Sequence, residues 1–392
     1  MEKLPNLFNQ QTAFIQVSDI RQFDERVSPI EGMLKLTIGE PDFNTPDHIK
    51  EAAMEAIEQN FSHYSPMAGD MELRQAATAF VAKKYGLVYD PASEIVITVG
   101  ASQAIAASLS AILNPGDKVL MPVPIYPGYE PIITLNRATP VYIDTTSNHF
   151  VLTPEMIHET MALHGNEVKA IILNYPSNPT GTTYTEAEVI ALADALRQYE
   201  LLVISDEIYS ELTYGAKHVS IAKYLREQTL LINGLSKSHA MTGWRIGFLF
   251  APQPLMAQIL KVHQYLVTSA SSISQRAGIA ALTTGIDDGL VMKEAYQERG
   301  DFLYHAMTQM GFAILKPSGA FYIFAKIPAG YLQNSMDFCV DVAEKVKVAM
   351  IPGSAFGEAG QGYVRLSYAT SMETLREAMT RLKEYMEKCQ TA

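Results

Sequence analysis

The sequence predicts an α/β protein: a large domain built on a mostly parallel sheet, followed by a smaller α+β domain. Three observations lead there. In the middle of the chain, short apolar runs alternate with helix-patterned stretches. The distinctive polar residues gather where those runs meet loops. After about residue 285 the pattern changes to strand-like runs and one long amphipathic helix.

The apolar runs cover residues 95–99, 118–122, 141–144, 169–173, 201–205, 230–233 and 246–250. Segments such as AIIL and LLVI have no polar face, as expected of strands buried on both sides. Helical patterns at 102–113 and 185–199 lie between them. Further on, SGAFYIFAKI and GYVRLSYA read as strands of the smaller unit. Thr370-Ser-Met-Glu373 has the order of a capping box, and Met372, Leu375, Met379, Leu382 and Met386 follow at helical spacing. The segment before Pro46 shows little regular pattern and is expected to wrap onto a neighbouring domain or subunit. The expected division is 1–45 as an arm with part of the small domain, 46–285 as the large domain and 286–392 as the small domain.

Composition narrows the partners. The 392 residues are 48% hydrophobic and carry a net charge of −12. That balance speaks against a nucleic-acid or anionic-membrane surface, which would need a basic patch. It leaves room for a small anion held by local cations. Cys339 and Cys389, the two cysteines, make neither a disulfide framework nor a zinc spacing, so no metal is expected and a reducing compartment is the default. The opening MEKLPNLFNQQTAF lacks the apolar core of a signal peptide, and no apolar run approaches the roughly 20 residues that span a bilayer. A soluble cytoplasmic protein is expected.

In an open α/β sheet, ligands bind outside the carboxyl ends of strands. The first run leads into Gly100-Ala101-Ser102-Gln103 and a helix. Small residues, a helix start and a hydroxyl there make a phosphate cradle, or a plain turn capped by Ser102. A second end, NYPSNPTG, holds Asn178 in a proline-stiffened loop that serves equally as a turn. A third, Ser205-Asp206-Glu207-Ile208-Tyr209, puts a carboxylate past a buried strand. Asp206 there either caps a helix or pairs with a protonated pyridine nitrogen. A fourth, Ser236-Lys237-Ser238, follows an apolar strand and Gly234. Most lysines are solvated surface charges, but one in apolar company loses its proton more easily and can condense with an aldehyde. Arg245, eight residues on, offers a planar fork suited to a phosphate. Arg365, within an otherwise apolar strand, fits a substrate carboxylate or an internal salt bridge.

NYPSNPTG, SDEIY, GLSKSHAMTGWRIGF and VRLSY, in this order and at these separations, resemble the class I pyridoxal-phosphate aminotransferases of fold type I. The resemblance runs from LTIGEPDF to the C-terminal helix. It implies that Lys237 anchors the cofactor as a Schiff base and that Asp206 pairs with the pyridine nitrogen. By the same likeness Tyr209 and Asn178 donate to the ring oxygen, and Tyr126 stacks on the ring. Ala101, Ser102, Gln103, Ser236 and Arg245 fall in the phosphate-binding group, and Tyr64 resembles a tyrosine reaching the phosphate of a partner subunit, so a homodimer with shared sites is implied. Arg365, Gly39 and Asn178 would hold the substrate. Two positions depart from the pattern: Gly234 stands where many relatives have serine, and Gln103 where glutamate is usual.

The implied reaction moves an amino group between an L-amino acid and a 2-oxo acid, with Lys237 as base. Phe14, Tyr64, Tyr126 and Phe356 suggest an apolar or aromatic side chain, or are ordinary core. No arginine stands out as a second clamp. Alternatives are a C–S β-lyase on the same scaffold and, remotely, a regulator that keeps an aminotransferase-like domain. The subgroups with similar wording act on aromatic amino acids or N-acetyl-diaminopimelate.

Overall fold

A computed structural model describes residues 7–390. Its centre is a seven-stranded sheet ordered Ile95–Thr98, Gly247–Phe250, Thr229–Gly234, Leu202–Asp206, Val168–Asn174, Lys118–Val123 and Thr139–Asp144. Gly247–Phe250 runs antiparallel to both of its neighbours, and the other strands run parallel to one another. Each of the seven apolar runs expected as strands of the large domain is one, within two residues at each end, whereas the strand within SGAFYIFAKI is shorter, Tyr322–Lys326.

Alternate residues of these strands face opposite cores, as a period of two requires. Val96, Met121, Ile172, Ile204 and Leu249 pack beneath the Gly100–Ile112 and Gln253–Val267 helices. Ile97 and Phe248 face the helices on the other side, as do Ile171 and Val203. Covering both faces explains why the strands read as unbroken apolar runs.

A second sheet is antiparallel, in the order Ile351–Pro352, Tyr363–Ser367, Tyr322–Lys326, Ala313–Ile314. The Met372–Gln390 helix packs on it through Leu375, Met379, Leu382 and Met386. Its cap lies one residue later than the capping-box pattern indicates. The Ser371 hydroxyl accepts the Thr374 N–H at 3.1 Å, and Leu375 N–H closes the first turn on the Ser371 carbonyl. A capping box does form at the other helix, where Thr185 and Glu188 bond reciprocally; that helix stops at Leu196 rather than Tyr199.

The chain before Pro46 is more regular than expected. Asp19–Val27 is a helix whose Phe23 and Val27 are buried with residues of the second sheet, and Leu34–Lys35 pairs in parallel with Val348–Ala349. Five charged residues in nine disguise the helix in sequence, because its stability comes from one buried face rather than from propensity. Cys339 is buried; the side chain of Cys389 lies outside the described residues.

Candidate active site

The carboxyl ends of the central strands open onto a cavity of about 680 Å³, a size usual for small-molecule sites. The antiparallel strand contributes as well. It begins at the rim where its neighbours end, with Gly247 opposite Thr98 and Gly234, so Arg245 reaches the same rim.

Lys237 sits in the short Leu235–Ser238 helix that follows one of these ends. Its ammonium donates to the Gly39 carbonyl at 2.5 Å and lies 5.7 Å from the Tyr209 ring centre. Its pKa is lowered to about 8, chiefly by burial and with help from Arg245 and Arg365, against the opposing pull of Glu40 and Asp206. Asp206 is the mirror case. Burial raises its carboxyl to about 6, against the bonds donated by the Tyr129 hydroxyl at 2.7 Å and the Ile208 N–H at 3.2 Å. A carboxylate held in this way still lacks a cationic bonding partner among the described residues.

Asn174 ties the next loop to the same strand end. Its amide donates to the Asp206 carbonyl and its oxygen accepts the Asn178 N–H at 2.9 Å. Asn178 in turn accepts from Arg365 at 3.0 Å. Arg365 is buried and meets no carboxylate among the described residues, so no internal salt bridge is found there. Its other contact is the Thr37 carbonyl at 2.7 Å, and its Nε–H has no partner among the described residues. Tyr322 and Phe356 lie over the guanidinium at 4.5 and 5.0 Å. A buried guanidinium with a free donor is prepared for a planar anion.

The cradle has a steric basis. Gly100, at φ 74°, starts the Gly100–Ile112 helix, and a Cβ there would come within 2.7 Å of the Arg245 guanidinium. Arg245 itself takes a left-handed φ of 55°, a costly conformation for a residue with a side chain, and donates to the Thr242 carbonyl. The result is a guanidinium laid against a helix N-terminus, with the Ala101, Ser102 and Ser236 positions on the same wall.

Of the residues expected at the site, Gly39, Ala101, Ser102, Tyr126, Asn178, Asp206, Tyr209, Ser236, Lys237, Arg245 and Arg365 all line this cavity. Gln103 does not. Its oxygen accepts the Val99 N–H and meets His263 Nδ1, both at 3.2 Å. One helical step of about 100° beyond Ser102 turns it away from the rim. Tyr64 is 87% exposed and off the cavity. Phe356 is core that also covers Arg365, and Phe14 is exposed.

Sequence reasoning missed Tyr129 and Tyr322. Tyr129 bonds Asp206. The Tyr322 hydroxyl bonds that of Tyr209 at 2.8 Å and stands 2.8 Å from where a Cβ on Gly39 would lie, so the glycine leaves room for this pair. Partners 77 and 113 residues apart leave no local pattern to read.

The profile of the family described as aminotransferase class I and II matches residues 31–382. A Bacillus subtilis (strain 168) protein named as a probable N-acetyl-LL-diaminopimelate aminotransferase is 52% identical, over 98% of this chain and 96% of its own. The structure of an aromatic aminotransferase from Pyrococcus horikoshii OT3 superimposes with a TM-score of 0.88 at 37% identity, over 94% of this chain and all of that one. Aspartate aminotransferase from Thermus thermophilus with maleate gives a TM-score of 0.91 at 34% identity, over 96% and 99%.

Fold and relatives together define a pyridoxal-phosphate-dependent enzyme of fold type I. The chain belongs to the class I and II aminotransferases, and its reaction is the transfer of an amino group between an amino acid and a 2-oxo acid. These relatives do not support the β-lyase alternative. The chain's own groups fit the cofactor: an amine of lowered proton affinity for its aldehyde, a buried acid without a cationic partner for its pyridine nitrogen, and the Gly100–Arg245 cradle for its phosphate.

Tyr129→Phe removes one of the two bonds that orient Asp206. A hydrogen bond to a charged group is worth about 1.5–3 kcal/mol, so kcat is expected to fall roughly 10-fold or more with KM unchanged. Steady-state kinetics on a variant of unaltered circular dichroism checks this. A change below about twofold would mean that the Ile208 N–H suffices.

Proposed function

We propose that this chain transaminates L-amino acids with Lys237 as both cofactor anchor and proton carrier, and that the presence of an amine of lowered proton affinity and a buried carboxylate without a cationic bonding partner on the wall of one cavity carries the reading. Pyridoxal phosphate, when bound, supplies an aldehyde that takes up the amino group and a ring that draws electrons from it. Asp206, oriented by Tyr129, holds a proton on the ring nitrogen. Tyr209 and Asn178 would donate to the ring oxygen, and Tyr126 would pack against the ring. Ala101, Ser102, Ser236 and Arg245 hold the phosphate. Arg365, with Asn178 and the Gly39 backbone, takes the substrate carboxylate and so selects α-amino acids. With the carboxylate fixed, Lys237 Nζ can remove the proton from the substrate Cα. A buried lysine shifted to about 8 loses its proton far more readily than a solvated one.

We also propose a homodimer. Tyr64 and Tyr265 are 87% and 88% exposed, with Met54, Ile57, Met67 and Leu266 also exposed. Their segments are tied together, since Ser272 donates to the His63 carbonyl and His263 meets that of Met67. Pairing through this patch would bring Tyr64 to the neighbour's cradle. The division near residues 45 and 285, and a cytoplasmic location consistent with two cysteines and no disulfide framework, belong to the same reading.

The test is a half-reaction screen. Purified yellow enzyme mixed with single L-amino acids is expected to convert to the amine form of the cofactor and release the matching 2-oxo acid, without ammonia. Ammonia release in the absence of an amino acceptor would overturn it.

A further inference from the structure

One buried charge beside the cavity has no task in the reading above. Glu207 directly follows Asp206, and alternation along extended chain sends the two side chains opposite ways. Asp206 lines the cavity, whereas Glu207 is fully buried and does not. Its two oxygens collect four donors. The Ser205 and Ser220 hydroxyls reach Oε1 at 2.7 Å each, and the Tyr175 hydroxyl reaches it at 3.3 Å. Oε2 meets His218 Nε2 at 2.6 Å. A carboxylate only accepts, so Nε2 carries the proton of that bond. The imidazole serves this bond alone, since its Nδ1 has no partner among the described residues. The Tyr85 and Tyr175 rings hold it, with 5.4 and 5.3 Å between ring centres.

Both tyrosines lead back to the site. Tyr85 bonds the Ser210 hydroxyl at 2.7 Å, next to Tyr209. Tyr175 belongs to the loop that carries Asn178. Its N–H donates to the Asp206 carbonyl at 3.3 Å, and its hydroxyl accepts the Ile221 N–H at 2.7 Å. The Glu207 backbone is fixed as well: its N–H donates to the Ile232 carbonyl and its carbonyl accepts the Ser210 N–H, both at 2.9 Å. With Glu207 held in this way, the next peptide presents the Ile208 N–H to the Asp206 carboxylate. Burying a charge is costly, and an apolar residue of similar volume would fill the space without that cost. What the charge adds is direction, because a fully satisfied carboxylate fed by three chain segments specifies one arrangement of them.

We propose that Glu207 and His218 are positioning residues of the transamination site, and that their buried bond holds the turn bearing Asp206 and Tyr209 against the loop bearing Asn178. Asp206 then faces the ring nitrogen of the cofactor without rearrangement. A second negative charge behind Asp206 also favours a cation in front of it, and it is among the causes that raise the Asp206 carboxyl. The proposal rests on the assignment of Asp206 to the ring nitrogen.

The experiment loads the enzyme with pyridoxal phosphate labelled with nitrogen-15 in its ring, whose resonance reports whether that nitrogen holds a proton. His218→Leu removes the donor to Glu207, and His218→Gln returns an N–H at similar reach. At neutral pH the wild type and His218→Gln are expected to show a protonated ring nitrogen. In His218→Leu the signal should move towards the neutral form and kcat should fall roughly 10-fold, as for one lost bond to a charged group. Calorimetric binding of pyridoxal phosphate to the cofactor-free chain should weaken by a similar factor. Glu207→Gln, which removes the charge, is expected to behave as His218→Leu does; if it fails to fold, the two His218 variants decide.

A protonated ring nitrogen with near-normal kcat in His218→Leu overturns the proposal, because a pair that served stability alone would move only the unfolding temperature. Equal losses in His218→Leu and His218→Gln also overturn it, since ring volume rather than the bond would then be responsible. Asp206→Ala tests the underlying reading. If that variant keeps the ring nitrogen protonated, both fall. If it strips the proton while His218→Leu does not, the assignment of Asp206 stands and this proposal falls.

Discussion

Lys237→Ala is expected to abolish turnover, lowering kcat by at least about 10⁴, and to yield a protein without the yellow colour of lysine-held cofactor. The geometry leaves no substitute. Of the basic groups on the cavity wall, Arg21, Arg245 and Arg365 are guanidiniums, and only Lys237 is an amine. Lys237→Arg keeps a positive charge but not a nucleophile and is expected to be equally dead, which separates lost chemistry from lost folding. The same site predicts a pH profile. The neutral amine is the reactive form, and burial sets its pKa near 8 rather than 10.5. The rate at which cofactor-free enzyme captures pyridoxal phosphate should therefore rise with pH and level off above about 8. A rate still climbing towards the ordinary lysine range would contradict the effect of burial. The linkage to stability has the same sign: between about 8 and 10.5 the unfolded chain binds more protons at this lysine, so its contribution to stability grows as pH rises.

Arg365→Met is expected to lower kcat/KM for every amino acid while leaving the cofactor bound. Removing one member of a buried charged pair costs about 2–5 kcal/mol, roughly 30- to 5,000-fold. The change should fall mainly on the amino-acid half-reaction, because the role proposed for the guanidinium is to hold the substrate rather than the cofactor. Stability should move the other way or not at all. The folded chain buries this cation against Asn178, the Thr37 carbonyl and two aromatic rings, with no carboxylate to compensate it. Replacing such a charge by an apolar group of similar volume is often neutral or stabilising by about 1–4 kcal/mol. Thermal unfolding of the cofactor-free variant checks this. A marked drop would show that the two hydrogen bonds outweigh the uncompensated charge.

Much of the fold was legible because the central strands are buried on both faces. A run such as Val168–Asn174 has no other place to go, and its end marks the rim. Local chemistry was less reliable where two registers compete. Thr370 and Ser371 both offer a hydroxyl at the start of the last helix, and Ser371 caps it because its oxygen meets the Thr374 N–H. Gln103 was misplaced for a similar reason, since adjacency to Ser102 in sequence means a different face of the helix.

The sequence by itself determined that a lysine, an aspartate, a tyrosine and an asparagine follow apolar strands, and therefore that they can meet at one sheet edge. Arg245 was expected to join them from its motif, but the reason it can is tertiary. It precedes its strand, and only because Gly247–Phe250 runs against its neighbours does that strand's beginning fall where theirs end. The tertiary fold also brought Tyr129 to Asp206 and Tyr322 to Tyr209. The reason is range: strand periodicity and turn chemistry act over a few residues, whereas these contacts depend on how separately encoded segments pack together.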